Sequence, residues 1–171
     1  MTSRFFSILK PLIVLFFIFC FAKGVNAQTY TWEKIYRGTG FSADGGICNT
    51  GIYNNKYYYV AAYSQNKGWI LKMDSRTGDT LWTKKFNLGT GSFSAMILSS
   101  DGGCIVSGKT ESAMSIKVDS SGNTVWNKTY NVNDVDIKKI IKLSDNNYLI
   151  CGSTGFKATL AMKIDKEGNF I

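Results

Sequence analysis

The 171-residue chain contains no histidine. That absence removes imidazole bases, Ser-His-Asp triads and the most frequent zinc ligand from any chemistry it performs. Proline occurs once, as Pro11, and acids are the scarcer charge, 12 against 20 lysines and arginines. The longest apolar run, residues 11–22, falls short of the roughly 20 residues that a membrane-spanning helix takes. No helical period survives elsewhere, and the length leaves room for one domain. What the chain has in quantity is aromatic residues (11 Phe, 9 Tyr, 4 Trp) and 17 glycines.

Residues 1–27 have the pattern of a cleaved secretory signal peptide. Arg4 and Lys10 charge the start, residues 11–22 are apolar, and Val25-Asn26-Ala27 offers modest side chains before Gln28. Phe19 is too bulky to precede a lipid-modified Cys20. Removing this segment takes Arg4, Lys10 and Lys23 with it, lowering the formal charge from +8 to +5. The remaining lysines are spread along the chain, which points to a solvated face and away from nucleic acid. Cys48, Cys104 and Cys151 remain, an odd number that cannot pair fully within one chain. One disulfide with a free thiol, or three buried thiols, both satisfy that count.

Self-comparison organises residues 28–171. Trp-x-Lys-x-aromatic occurs at Trp32–Tyr36, Trp82–Phe86 and Trp126–Tyr130. Upstream of the last two, Ile70–Asp74 leads through Gly78 to Trp82, and Ser115–Asp119 leads through Gly122 to Trp126. A third copy, Ala161–Asp165 with Gly168, approaches the end of the sequence, where the spacing places the next tryptophan just after Ile171. On that spacing the sequence is expected to be an N-terminal fragment. Strand-like runs at Tyr57–Ser64, Gly103–Thr110 and Asn147–Thr154 precede these blocks, separated by Gly, Asn and Asp turns. The pattern predicts four antiparallel strands per repeat of roughly 45 residues. Because side chains alternate along a strand, Trp82, Lys84 and Phe86 share a face. The lysine stem is then expected to lie between the rings with its ammonium near their faces. Trp82 and Trp126 are expected to be buried at equivalent positions.

Asp74–Trp82 resembles the Asp-x-x-Thr-Gly-x-x-x-Trp docking motif of quinoprotein-like propellers, and the Asp101–Tyr130 repeat is similar to secreted bacterial propeller proteins that often end in a type IX secretion sorting domain. Asp119 and Asp165 reach their glycines one residue sooner than Asp74 and lack the threonine. The resemblance covers residues 30–171 and implies an all-β propeller of four-stranded blades, with about three blades present and the ring incomplete. It puts the tryptophan strand outermost, residues 47–74, 93–119 and 136–165 as the three inner strands of successive blades, and Trp32–Tyr36 as an outer strand that closes the last blade of a complete ring.

The carboxylates recur with the repeat, so Asp74, Asp119 and Asp165 are expected to brace turns, as are Gly78, Gly122 and Gly168. Neither a calcium loop nor a P-loop pattern is present, and no cofactor or metal site is expected. Asp134 and Asp136 break the repeat and could form an acid pair, or simply a solvated edge. The function expected is a non-catalytic binding module, secreted or on the cell surface, for an extracellular protein or glycan. Its contact with membrane is through targeting alone. The alternative is a propeller-scaffold enzyme, quinoprotein-like or glycan-active. Irregular loops on a rigid scaffold are where function usually sits. A ligand is therefore expected to meet Arg37, Lys67, Glu111, Asp134 or Lys157.

Overall fold

The computed structural model describes residues 31–35, 47–64, 67–155 and 158–171, with the backbone alone at 47–50 and 64. The leader segment, Tyr36, Arg37, the glycine-rich stretch at 37–46 and Lys157 lie outside the described residues. Trp32–Ile171 forms one compact unit.

That unit is built from antiparallel strands, and no helix occurs among the described residues. The first sheet runs β1 (Ile47–Tyr53), β2 (Tyr57–Ser64), β3 (Lys67–Asp74) and β4 (Thr80–Asn87) in spatial order. The second repeats it with β5 (Ser92–Leu98), β6 (Cys104–Lys109), β7 (Ser112–Val118) and β8 (Thr124–Asn133). The third has β9 (Val135–Lys142), β10 (Tyr148–Thr154) and β11 (Ala158–Ile164). Each is a meander in which sequence neighbours pair, as β-branched and aromatic runs between tight turns dictate. The outer register repeats between sheets. Lys72 lies opposite Trp82, and Lys117 lies opposite Trp126, each next to a bulge. The third sheet begins the same step, with Ile164 opposite Phe170. Its next pairing position lies beyond the last residue.

The second sheet is buried on both faces. Val106 and Ile116 join Tyr59, Ile70 and Phe93 in a cluster shared with the first sheet. Ile105 and Ala113 join Ile137, Ile150, Met162 and Ile164 in one shared with the third. This alternation is the period-two pleat serving two neighbours at once. In the first sheet β3 is likewise buried from Gly68 to Met73, polar Lys72 included, with Ile70 in the cluster shared with the second sheet and Trp69 and Leu71 in a smaller one with Ala62. Each fully buried aliphatic or phenyl side chain contributes about 1.5–3 kcal/mol relative to an exposed one. The first strands also adjoin, β1 beside β5 and β5 beside β9. The three sheets do not close a ring.

One boundary differs from the sequence reading. The irregular loop expected over Asn131–Asp134, from outer strand to next inner strand, is shorter in the structure: β8 extends to Asn133, so the connection to β9 is Asp134 alone. Asp134 takes a left-handed φ of 52° to make that corner, a conformation that aspartate tolerates better than most residues.

Candidate functional site: docking turns and the loop end

The repeated tryptophans join one sheet to the next. Trp82 Nε1 donates to the Ser120 carbonyl at 3.1 Å, and Trp126 Nε1 donates to the Lys166 carbonyl at 3.1 Å. Trp32 Nε1 donates to the Ser75 carbonyl at 2.9 Å. In every case the acceptor is the residue after the repeated aspartate. The glycine of the same turn lies against the indole. A Cβ at Gly78, Gly122 or Gly168 would sit 2.6, 2.8 or 3.0 Å from the nearest ring atom of Trp32, Trp82 or Trp126. All three glycines also have φ between 69° and 88°. Two demands, a left-handed turn and an indole at contact distance, meet at one position, and glycine satisfies both.

The aspartates hold these turns from within. Asp74 Oδ1 accepts from the Arg76 and Thr77 amides, Asp119 Oδ1 from Ser121 and Asn123, and Asp165 Oδ1 from Asn169. Those bonds favour the charged form and hold the carboxyls below their ordinary range: the Arg76 amide foremost for Asp74, the Asn123 side chain for Asp119 and the Asn169 amide for Asp165. The first turn is one residue longer, closing Gly78 onto Asp74, yet it presents the same acceptor to its tryptophan.

The lysines two residues after Trp32 and Trp126 take a different place from the one expected of this position. Lys34 pairs with Asp79, and Lys128 Nζ donates to Asn169 Oδ1 at 3.0 Å. Both partners directly follow the docking glycine, so the ammonium reaches across to the next sheet. The cation–π contacts belong to other lysines. Lys72 Nζ lies 4.1 Å from the Tyr57 ring centroid and 5.4 Å from that of Tyr59, while Lys85 lies over Trp69. The indoles of Trp82 and Trp126 are half-buried, short of the full burial expected, because the outer strand has a solvent side.

Two tyrosines, Tyr130 among them as the aromatic of its repeated motif, and two serines to which the sequence reading gave no role complete the joints. Tyr59 donates to the Gly102 carbonyl at 2.7 Å and Tyr130 to the Gly168 carbonyl at 3.1 Å. Each bond runs from one sheet to a turn of the next. Burial pushes both phenols up to about 12; the hydrogen bond with Ser115 opposes this for Tyr130. Ser115 also bonds Ser107, with 2.6 Å between their buried hydroxyl oxygens. The sequence signal was slight: hydroxyl residues in strands that the apolar pattern marks as interior.

The opposite end of the sheets holds the irregular connections. Lys67 opens β3, Glu111 tips the β6–β7 turn and Asp134 makes the β8–β9 corner; all three are exposed. They belong to separate junctions, and the described contacts do not bring them together. Asp134 is tied locally, its carbonyl accepting from the Gly155 amide at 2.9 Å. Asp136 pairs with Lys138 at 2.6 Å. The Asp136 carboxylate thus has its own partner, and no contact among the described residues joins it to Asp134. Cys104 is buried and Cys151 half-buried, both as free thiols, and burial raises Cys104 to about 12. Such a thiol is a packing group, not a nucleophile. Among the described residues no cluster of three or more Cys, Asp or Glu is placed to hold a metal ion.

No protein-family model and no curated protein matches the chain. Among solved structures it is similar to a protein of unknown function from Bacteroides caccae, at a TM-score of 0.54 and 14% identity over 74% of this chain. The chain spans 45% of that protein's length, and the likeness is one of fold.

Proposed function

We propose that residues 28–171 are blades of an exported β-propeller whose loop end binds an extracellular protein or glycan and performs no chemistry of its own. In this reading the sheets radiate from their adjoining first strands, and residues 1–27 are removed on export. The observation that carries it is the difference between the two ends of the sheets. At one end the turn carboxylates, glycines and carbonyls are engaged in bracing turns and docking indoles. At the other, Lys67, Glu111 and Asp134 project from junctions of unlike length and sequence. A rigid frame with variable charged loops at one end suits recognition.

The experiment has two parts. Mass spectrometry of exported protein should find Gln28 at the N-terminus; retention of residues 1–27 would sink the export reading. Binding is then screened on a glycan array and against extracellular extracts, comparing wild type with charge reversals at Arg37, Lys67, Glu111, Asp134 and Lys157. A loss of tenfold or more is expected from the reversals. Lys166→Ala with Glu167→Ala, exposed at the opposite end, should bind as wild type does. The reverse result assigns the wrong end.

A further inference from the structure

We propose that Lys72 and Lys56, at the docking-turn end of the first sheet, form a subsite for the carboxylate of an acidic sugar. The subsite is separate from the loop end and does not depend on the reading above. It emerges when the sheets are compared with one another. In the second and third sheets the lysine near the end of the third strand meets an acid from the turn between the first two. Lys117 Nζ lies 2.8 Å from Asp101 Oδ2, and Lys163 Nζ lies 2.9 Å from Asp145 Oδ2. Each acid also closes its own turn, Asp101 Oδ1 accepting from the Gly103 amide at 3.1 Å and Asp145 Oδ1 from the Asn147 amide at 3.0 Å. In the first sheet Asn54 performs only the second task, its Oδ1 accepting from the Tyr57 amide at 2.8 Å. A carboxamide braces a turn as a carboxylate does but brings no charge. Lys72 therefore has the position of Lys117 and Lys163 without their counter-ion.

The rest of the hairpin matches that deficit. Lys72 is 7% exposed, and no carboxylate pairs with it among the described residues. Of its three N–H donors, one reaches the Ser120 carbonyl, which already accepts from Trp82 Nε1. The Tyr57 and Tyr59 rings face the charge but do not neutralise it. A buried ammonium left in this state is costly, so an anion that reaches it recovers what the built-in pair supplies elsewhere. Lys56 adds a second ammonium 5.2 Å from the Tyr57 ring centroid, is exposed, and has no acid partner either. Tyr57 itself is half-buried, so only its ring stands between Lys72 and solvent. The sister turns indicate what fits: one carboxylate, held by one lysine. The half-exposed phenol ring beside it gives an apolar face for the C–H groups of a pyranose, which favours a sugar acid over an acidic peptide.

The test titrates the purified full chain with sodium glucuronate, acetate, glucose and N-acetylaspartate methylamide, all at one ionic strength. Binding is read from the NMR signals of the Tyr57 ring and from the thermal midpoint. Saturable shifts with glucuronate are expected, weaker binding with acetate, and none with glucose. Asn54→Asp keeps the turn bond and supplies the carboxylate from within, so it should weaken glucuronate binding by about tenfold or more. Lys72→Met, close in size and uncharged, should abolish the response; it decides the matter if the first variant does not fold. Charge reversal at Lys67 or Glu111 should leave the response unchanged, so this site and the loop-end reading fail separately. A wild type that does not respond to carboxylates, a response equal for glucose, or one that survives Lys72→Met overturns the subsite. Tighter binding of the aspartate amide than of glucuronate overturns its assignment to a sugar.

Discussion

At the scale of single residues, the docking glycines separate two costs that usually travel together. Gly89 has φ 56° with nothing near a would-be Cβ, whereas Gly122 has φ 88° and the Trp82 ring at 2.8 Å. Gly89→Ala should therefore lose roughly 1–2 kcal/mol from left-handed strain alone. Gly122→Ala should lose more, because the displaced indole also gives up a hydrogen bond worth about 0.5–1.5 kcal/mol. Urea midpoints of the two variants check the order; equal losses would mean that the indole contributes nothing. A second test uses Asp101. Burial raises its pKa, but the Lys117 ammonium at 2.8 Å, the Ser99 hydroxyl and the Gly103 amide outweigh it and bring the carboxyl down to about 2. The folded value lies below the unfolded one. The stabilisation is therefore complete above about pH 4 and is lost as pH falls towards 2. Lys117→Met should shift that loss to higher pH, read by NMR titration of the carboxyl. Lys72, at the matching position, has no such acid. The first sheet turns through Asn54 and Asn55 where the others have Asp101 and Asp145, and Lys72 turns instead to Tyr57 and the Ser120 carbonyl. The repeat was legible in the sequence; this exception was not, because it depends on what stands at the far end of the lysine.

At the scale of elements, strand number, order and hairpin turns could be read from Trp32, Trp82 and Trp126 and the Asp–Gly blocks between them. Alternation fixed the faces of β4, where Trp82, Lys84 and Phe86 are more covered than Thr83 and Lys85. β3 and β7 were legible as strands from their repeated blocks; what alternation did not disclose is that both of their faces are buried. Reading failed at residues 131–133, where two asparagines flank Val132 and the strand continues to the pairing of Asn133 with Ser112. The loop-end residues could be listed but not grouped, since sequence gives no distance between separate junctions. The cross-sheet tyrosine bonds make a prediction at this level. Tyr59 and Tyr130 ionise near 12 when folded and near 10 when unfolded. Their contribution is complete below about pH 10 and is lost between 10 and 12. Tyr59→Phe with Tyr130→Phe should flatten that alkaline limb while lowering stability at neutral pH, as followed by unfolding and by tyrosinate absorbance.

For the molecule as a whole, coverage is uneven. β6 is buried from Cys104 to Gly108 and flanked by sheets on both sides, whereas β11 is exposed at Ala158, Thr159 and Ala161. Amide hydrogen exchange should accordingly be slowest in β6 and β7 and fastest along the outer edge of β11, since opening free energies follow local burial. Uniform protection of all three sheets would contradict this account. The tryptophan joint also bears on how such a chain changes length. Each of the first two sheets offers an acceptor turn to the tryptophan before it and an indole to the sheet after it, and across the three joints donor and acceptor are 43, 38 and 40 residues apart. Unequal crossing-over that gains or loses one whole period, wherever in the repeat the break falls, reunites an indole with an aspartate–glycine turn. A break of any other length strands one of them, so genes of this kind should differ among themselves by whole repeats.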